Sequence, residues 1–382
     1  MQGLPLPNRL FNLTVWNTSK CNFGCRYCFV YKLYDIIGEE MDHDTIDALI
    51  HFASHHLDPN GGIWFFGGEP LTSFDTMKEI VDKAIANRVA SHFGCTTNLY
   101  LLDEEKIRWM AKRPFNILAS LDGVAETHDR HRILKDGSPT WERCWNNLRN
   151  WVKITGRIPE IRWTIQTADP EVLQKTPEAI PFFVEKGFRT LALDFVYEVD
   201  LDDDLLAEIR KMMERIAQIL DSYFSNGIWV HTMMVRDAFS ALNARARTQY
   251  WTRCGLAQGD VGVAPNGNIY PCHRFVASAS DELLVGNVFK GFNENRVRLN
   301  EKWMKYPPYS QKPYLCLVCR FKNACHGQCI AMNYDLFGDI HIVPETACKI
   351  KDLTVRVFEP LVRKHWDLIA ANLQPECPRC PE

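Results

Sequence analysis

The sequence of 382 residues lacks three features that would assign it to a membrane or to a polyanionic partner. It contains no run of the roughly 20 apolar residues that a membrane-spanning helix needs. Its first residues, Met1-Gln2-Gly3-Leu4-Pro5, have neither the basic segment nor the apolar segment of a secretory signal. It has no large excess of either charge, since its formal net charge is −3. We therefore expect a cytoplasmic protein that binds neither membrane nor nucleic acid.

We also expect the chain to have no disulfides, because the thiols of cytoplasmic proteins are kept reduced. The chain nevertheless has 14 cysteines. Cys95 and Cys144 stand alone in the sequence, and we expect both to be small buried hydrophobic residues. The other cysteines lie in short clusters or close to one, and clustered cysteines without disulfides indicate metal.

Strand-like and helix-like segments alternate from residue 11 to about residue 225. Strands are predicted at 11–16, 62–66, 91–97, 116–121, 160–166 and 190–197, and helices at 45–57, 75–88, 104–111, 141–154 and 177–186. Asp44 and Asp103 are the expected N-caps of the first and third helices. A longer helix at 204–224 closes the region. The alternation predicts a parallel sheet, either doubly wound or partly closed into a barrel, with functional residues at the carboxyl ends of the strands.

The periodicity ends near residue 250. Residues 254–348 are rich in Cys, Gly, Pro and Asn, with short strands predicted at 261–264 and 268–270. Because such a segment buries little core by itself, metal clusters would supply folding energy. A helix is predicted at 352–373, and the tail after it contains Cys377 and Cys380.

Cys21, Cys25 and Cys28 have C-x3-C-x2-C spacing directly after the first predicted strand. Three thiolates hold three irons of a [4Fe–4S] cluster and leave the fourth iron open to another ligand. An open coordination position is typical of catalysis, as in zinc enzymes with three protein ligands. Taken alone, the triplet also fits a zinc knuckle.

The triplet, with Tyr27 before its third cysteine, resembles the Cys-x3-Cys-x-aromatic-Cys motif of the radical S-adenosylmethionine (SAM) superfamily. The resemblance implies that SAM chelates the open iron and that its cleavage yields a 5′-deoxyadenosyl radical, which abstracts hydrogen from a substrate. Other stretches at strand ends resemble the cofactor-binding elements of this family. The residues that the resemblance assigns to the cofactor are Tyr27, Gly67, Gly68, Glu69, Asn98, Ser120, Asp122 and Gln166.

Individual roles follow from the same resemblance. Gly67, Gly68 and Glu69 belong to a GGEP stretch that resembles the binder of the methionyl amine, in which the glycines allow close approach. Ser120 resembles the partner of the ribose hydroxyls. Arg132 is a candidate for binding the carboxylate of substrate or cofactor, since guanidinium binds carboxylates in two-pronged fashion.

The cysteines of the C-terminal half resemble a SPASM domain at seven positions. The resemblance implies two auxiliary [4Fe–4S] clusters, and therefore three clusters in all. The distal auxiliary cluster would be held by Cys316, Cys319, Cys325 and Cys348, and the proximal one by Cys254, Cys272 and Cys329. The proximal cluster would then have one iron without a cysteine ligand. A substrate thiolate, Asp260, water or one of the tail cysteines would bind that iron. Auxiliary clusters would accept electrons, bind substrate or stabilise the fold.

These resemblances together predict an α/β fold. A partial (β/α)6 TIM barrel would occupy residues 1–235, and an irregular Cys-rich SPASM domain binding two auxiliary iron–sulfur clusters would occupy residues 236–349. The C-terminal helix and the Cys-containing tail would follow at residues 350–382.

The leading functional hypothesis is a maturase of a ribosomally made precursor peptide, which forms a C–C, C–O or thioether crosslink between side chains. Sulfatase-maturating enzymes are also similar, but they usually have an Asp base directly after the cysteine of Tyr-Pro-Cys. This chain has His273 there, and we take His273 as a candidate base. The alternatives are oxidation of a sulfatase Ser or Cys to formylglycine, oxidation of a small aminocyclitol or sugar-like compound, and a non-catalytic iron–sulfur electron carrier.

Two kinds of partner follow from the leading hypothesis. Cluster reduction requires an electron donor, which would be a reductase, a flavodoxin or a ferredoxin. Because the first predicted strand begins near residue 11, we expect any leader recognition to come from a separate protein or from the sheet edge.

Overall fold

The computed structural model describes residues 9–30, 40–243, 259–304, 309–322, 324–325 and 327–373. The predicted ligand Cys254 and the tail residues Cys377 and Cys380 lie outside these residues.

The first part of the chain alternates strands and helices as the sequence predicts. Its strands are β1 (Leu10–Thr18), β2 (Leu57–Gly67), β3 (His92–Thr97), β4 (Phe115–Ser120), β5 (Glu160–Ile165), β6 (Thr190–Phe195) and β7 (His231–Thr232). Its helices are α1 (His43–His56), α2 (Phe74–Ala86), α3 (Glu104–Ala111), α4 (Ala125–His128), α5 (Trp141–Thr155), α6 (Pro170–Glu185), α7 (Asp203–Ser225) and α8 (Met233–Leu242).

The later part has shorter elements. Its strands are β8 (Asp260–Val263), β9 (Asn268–Tyr270), β10 (Gly286–Asn287), β11 (Gly291–Phe292), β12 (Tyr309–Ser310) and β13 (Ile342–Val343). Its helices are α9 (His273–Ser278), α10 (Asn295–Met304), α11 (Tyr314–Val318), α12 (Ile330–Phe337), α13 (Glu345–Lys364) and α14 (Trp366–Asn372).

Strands β1 to β7 lie side by side in chain order, and each pairs in parallel with the next. A doubly wound sheet reverses its strand order at a switch point, whereas a barrel adds each strand beside the previous one. The sequential order therefore decides between the two arrangements that the sequence left open, and it confirms the predicted partial (β/α) barrel.

The later part extends the same sheet. Strand β8 pairs in parallel with the other side of β1, with Leu13 opposite Val261, and β9, β10 and β11 follow in antiparallel pairs. The Asn12 side chain donates a hydrogen bond to Asp260 across this junction, at 3.0 Å. The first strand of the barrel is thus an interior strand of an eleven-stranded sheet within the described part of the chain.

Two predicted helix starts were wrong. The side chain of Asp42, and not that of Asp44, accepts the capping hydrogen bond from the Thr45 amide, because Asp44 already lies in the first turn; Asp103 caps α3 as predicted. Helix α6 begins at Pro170 after its cap Asp169, so the proline at 177, which resembles a start signal, lies inside the helix.

The C-terminal helix differs as well. Helix α13 begins at Glu345, a turn and more before the predicted start at 352, and it therefore carries Cys348. His365 ends α13 and precedes the separate helix α14, so the predicted single helix is two.

The two faces of the sheet differ in character. Residues on the helix-covered face, such as Phe65, Phe93, Phe115 and Trp163, are fully buried, as are Cys95 and Cys144, which confirms their predicted core positions. The alternate residues point to the barrel interior and are half-buried: Thr14, Trp64, Thr96, Leu118, Arg162, Thr164 and Asp194. An interior lined by accessible and often polar side chains is open to a ligand.

No helix among the described residues is both long enough and apolar enough to cross a membrane.

The core contains an aromatic cluster whose loss we expect to be costly. The Phe183 ring lies 5.3 to 6.0 Å from those of Trp145, Trp163, Phe182 and Phe188 and is fully buried. Phe183→Ala should destabilise the fold by about 3–5 kcal/mol. Phe289→Ala is the matched control, because Phe289 is 57% exposed, and it should change stability by less than about 0.5 kcal/mol. Anaerobic urea unfolding measures both, and equal losses would contradict this account of the core.

Candidate active site

The Cys21–Cys28 loop leaves the carboxyl end of β1 and is held by backbone pairing with residues 131–134. The Gly24 amide donates to the Ile133 carbonyl at 2.8 Å, and the Arg26 amide donates to the His131 carbonyl at 3.1 Å. Phe23 forms a bridge with Leu134 and is buried. The loop is therefore fixed above the strand ends, where the sequence predicts chemistry.

The three thiols of this loop interact with one another. Burial raises the pKa of Cys21 to about 12 and that of Cys25 to about 11, and the negative charges of neighbouring thiolates and of Glu69 or Asp122 add to the effect. The Phe23 amide donates to the sulfur of Cys21 at 3.4 Å. Three half-buried thiols that repel one another as anions fit a polynuclear cation, because iron binds the thiolate form and removes the repulsion.

Each thiolate of such a cluster binds a different iron, so the sulfurs need not converge on one point. Within the described residues, no group of three or more His, Cys, Asp or Glu side chains lies close enough to hold a single metal ion.

The GGEP turn joins the ends of β1, β2 and β3. The amide of Glu69 donates to the Lys20 carbonyl at 2.7 Å, while its carboxylate accepts from the Leu71 amide, the Thr97 hydroxyl and the Asn98 amide. Burial raises the pKa of Glu69 to about 7, although these hydrogen bonds favour the carboxylate. Gly67 has a φ of +129°, a conformation that favours glycine.

Asp122 joins the cysteine loop to the barrel. Its carboxylate accepts hydrogen bonds from the Tyr27 hydroxyl, from Nε of Arg132 at 2.9 Å and from the Thr164 amide at 2.8 Å. Burial by itself would lower the pKa of Arg132, but the negative charge of the Asp122 carboxylate beside it keeps the pKa of Arg132 well above its usual value. The guanidinium predicted to bind a ligand carboxylate is thus paired with a carboxylate of the protein itself.

The remaining predicted cofactor residues also lie at strand ends. Nδ2 of Asn98 donates to Oδ1 of Asn22 in the cysteine loop at 2.9 Å, while the buried Nδ2 of Asn22 has no hydrogen-bond partner in the described part of the chain. Ser120 is buried at the end of β4. Gln166, after β5, lines an open depression of about 510 Å³ together with Arg26, Arg130, His131, Ala168, Asp169, Pro170 and Val199.

His273 lies against the barrel at the start of α9. Its ring centre is 4.7 Å from that of Phe66, which in turn stacks on Phe29 at 6.5 Å. The guanidinium of Arg274 lies 4.7 Å from the Phe29 ring centre. Desolvation of the ring by the surrounding protein, and then the positive charges of Arg274 and Arg162, lower the pKa of His273 to about 4. Part of the side chain nevertheless remains accessible to solvent.

Phe29, Phe66 and Arg274 are site residues that the sequence reasoning missed. They bring the segment after Cys272 against the segment after Cys28. The position of Phe66 among the alternate, interior-facing residues of β2 is the signal that points to it.

Four cysteines of the later part form a second interacting set, which we call the quartet: Cys316, Cys319, Cys325 and Cys348. Burial raises the pKa of Cys319 to about 12 and that of Cys348 to about 11, and each of these thiols is also affected by the charge of Cys325. Cys316 acts on both Cys325 and Cys348. The sulfurs of Cys316 and Cys325 accept amide hydrogen bonds from Ser310 and Gly327, both at 3.4 Å.

Cys272 and Cys329 belong to the other cysteine set that the sequence predicts. Cys272 follows β9, and Cys329 precedes α12. The charge of Cys329 acts on Arg274, two residues after Cys272, so the two cysteine segments are neighbours.

Comparison with known proteins agrees with this geometry. Residues 18–165 match the model of the Radical SAM superfamily. The matched region begins at the end of β1, spans the cysteine loop and GGEP turn, and ends with β5. This region is a radical SAM domain, a class of domain whose cofactors are SAM and a [4Fe–4S] cluster, and the protein that contains it is an enzyme.

Within this class, the chain is similar to enzymes along most of its length. It is 22% identical over 363 residues to the radical SAM cyclopropyl synthase TigE of Paramaledivibacter caminithermalis. This alignment covers 89% of this chain and 72% of that protein. It is 21% identical over 340 residues to the cysteine-type anaerobic sulfatase-maturating enzyme of Clostridium novyi. This alignment covers 82% of this chain and 85% of that protein. Its fold is similar to that of native anSMEcpe with bound AdoMet and Cp18Cys peptide, with a TM-score of 0.74, 18% identity and coverage of 94% and 99%.

The close approach at the GGEP turn gives a test of the site. A Cβ at Gly68 would lie 2.1 Å from the Lys20 carbonyl oxygen, whereas one at Gly24, inside the cysteine loop, would meet nothing nearer than 3.5 Å. Gly68→Ala should displace the start of the loop and slow 5′-deoxyadenosine formation roughly a hundredfold. Gly24→Ala should retain the wild-type rate in the same anaerobic assay. Equal rates for the two variants would contradict the role given to the turn.

Proposed function

We propose that this protein is a radical SAM peptide maturase with a C-terminal SPASM domain, which oxidatively crosslinks side chains of a ribosomally made precursor peptide. The observation that carries the proposal is the presence of two further cysteine sets in the segment that adds strands to the barrel sheet. The proposed domains are residues 1–235 for the barrel, 236–349 for the SPASM domain and 350–382 for the C-terminal helices and tail.

In this proposal, Cys21, Cys25 and Cys28 hold the cluster that binds SAM. When bound, the cluster and SAM supply the 5′-deoxyadenosyl radical that abstracts hydrogen from the substrate. The carboxylate of Glu69 and the backbone of its turn accept the methionyl amine, and Ser120, Asn98 and Gln166 face the rest of the cofactor. Tyr27, Asp122 and Arg132 act together to hold the loop, since their hydrogen bonds engage one another.

The quartet is the proposed ligand set of a distal [4Fe–4S] cluster. Cys272 and Cys329, with Cys254, are the proposed ligands of a proximal cluster. Two observations support this division. The thiols of the quartet interact with one another, and the charge of Cys329 acts instead on Arg274 beside Cys272. The proximal cluster, with three cysteines, retains an open iron for a substrate thiolate or another ligand.

The barrel interior supports a peptide as substrate. Its accessible lining combines aromatic and polar groups, including Trp64, whose indole donates to the Thr96 hydroxyl at 3.0 Å, and the pair of Arg162 with Asp194 at 2.8 Å. Side chains of mixed polarity can contact both the apolar and the polar side chains of an extended peptide. Fold similarity to an enzyme solved with a bound peptide is consistent with this choice.

A second candidate is the oxidation of a sulfatase Ser or Cys to formylglycine. Similarity to a sulfatase-maturating enzyme over 82% of the chain favours it. His273 in place of an acidic base disfavours it, because an imidazole cannot carry the negative charge of a carboxylate.

Iron content separates the proposed clusters. Replacing the quartet by alanine should remove the iron of one cluster out of three, while 5′-deoxyadenosine still forms. Replacing Cys21, Cys25 and Cys28 should abolish 5′-deoxyadenosine and leave the iron of the other two. Cys144→Ala is the control, since this buried cysteine lies outside every set. A quartet variant with wild-type iron would refute the distal cluster.

Substrate choice separates the two candidate reactions. The enzyme, reduced anaerobically with a flavodoxin and its reductase, is given a precursor peptide encoded beside its gene and, separately, a sulfatase peptide with its target Cys or Ser. We expect the precursor peptide to lose two hydrogen atoms per modification and to yield linked fragments by tandem mass spectrometry. Formylglycine in the sulfatase peptide, with an unchanged precursor, would favour the second candidate.

A further inference from the structure

Lys351 and Asp237 form a buried ion pair that the proposed reaction does not use. Nζ of Lys351 lies 2.5 Å from Oδ2 of Asp237, and the two side chains are only 12% and 8% exposed. The guanidinium of Arg236, which is 46% exposed, lies 3.4 Å from the other oxygen of this carboxylate. Lys351 belongs to α13 and Asp237 to α8, two helices that pack together. Burying two charges away from water costs free energy, which only their attraction to each other or to a third charged group offsets.

The pair lies directly beneath the quartet. One turn further along each helix, Val355 of α13 and Ala241 of α8 pack with Phe321, Ala324 and Cys319 of the quartet segment. Residues four apart share a helix face, so Lys351 and Asp237 project from the same faces as Val355 and Ala241. Lys351 also follows Cys348 by three residues on α13, which places it near that ligand.

The segment that carries Cys325 also lies against these two helices. Ala324, directly before Cys325, is buried and packs in the same cluster as Val355 of α13 and Ala241 of α8.

The same lysine faces the barrel interior on its other side. Its Nζ lies 5.9 Å from the ring centre of Tyr197, whose hydroxyl donates to Asp194 at 3.1 Å, and Asp194 pairs with Arg162 inside the barrel. The buried cation thus lies between the proposed substrate cavity and the quartet.

We propose that the Lys351–Asp237 pair sets the reduction potential of the distal cluster, with Lys351 raising it and Asp237 lowering it. The inference rests on the proposed function, in which the quartet holds that cluster. Reduction adds one negative charge to a cluster, so a nearby buried ammonium stabilises the reduced state and a nearby carboxylate destabilises it. A higher potential makes the distal cluster a better acceptor for an electron that leaves the substrate side, before it passes to a flavodoxin or ferredoxin.

The test is a redox titration of the full-length holoenzyme followed by electron paramagnetic resonance. The signal of the distal cluster is identified as the one that disappears in Cys319→Ser. Lys351→Met should shift the midpoint of this signal to more negative potential, and Asp237→Asn should shift it to more positive potential. The opposite signs matter, because a pair that only stabilises the fold would not move the potential in two directions.

Two further variants complete the design. Lys351→Arg keeps the charge and should restore a midpoint close to that of the wild type. Lys349→Met is the matched control on the same helix; Lys349 directly follows Cys348 but is more exposed and pairs with Glu345 at 2.9 Å, so solvent screens its charge and the midpoint should not move.

The outcomes separate this inference from the function on which it rests. Opposite shifts in the two charge variants, with no shift for Lys349→Met, support the inference. If the midpoint of the distal signal in Lys351→Met and in Asp237→Asn is the same as in the wild type, the inference is overturned and the distal cluster stays in place. A wild-type enzyme with no signal that depends on Cys319 overturns the distal cluster as well. If Lys351→Met fails to fold, Asp237→Asn alone decides, since an unchanged midpoint in that variant also overturns the inference.

Discussion

The structure of the site depends on one buried carboxylate, that of Asp122. It receives the Tyr27 hydroxyl from the cysteine loop, the guanidinium of Arg132 and an amide of the neighbouring strand. A buried charge of either sign left without its partner is strongly unfavourable, so the three groups keep one arrangement. The loop that holds Cys21, Cys25 and Cys28 is thereby fixed relative to the sheet. The Glu69 carboxylate does the same for the neighbouring strand ends.

A second constraint joins the two halves of the chain. The ring of Phe66 at the end of β2 contacts both Phe29, which follows the first cysteine set, and His273, which follows Cys272. Aromatic contact of this kind fixes distance without adding charge, which suits a place where two sets of cysteines lie near each other. The cysteine loop proposed to bind SAM and the proposed proximal ligands therefore share one apolar boundary.

The sequence predicts well what local spacing determines. The cysteine triplet, the GGEP turn and the alternation of strands and helices each depend on residues close in the chain, and the structure has them at the expected strand ends. Pairs distant in sequence, such as β1 with β8 or Lys351 with Asp237, leave no local signal, because short strands and single charges occur throughout the chain. The error at α1 has a similar cause: Asp42 and Asp44 are both suitable caps, and only the path of the backbone decides between them.

The pairing of β1 with β8 bears on how the chain folds during synthesis. Strand β1 obtains its second neighbour from Asp260–Val263, about 250 residues later, so the sheet is incomplete until roughly two thirds of the protein has been made. Contacts between such distant segments form late, and until then one side of β1 is an unpaired edge on which another chain can add. The ribosome-bound intermediate therefore exposes one edge of β1 while the cysteine loop that follows this strand has already been synthesised. Chaperone protection and cluster delivery would act on the same nascent segment.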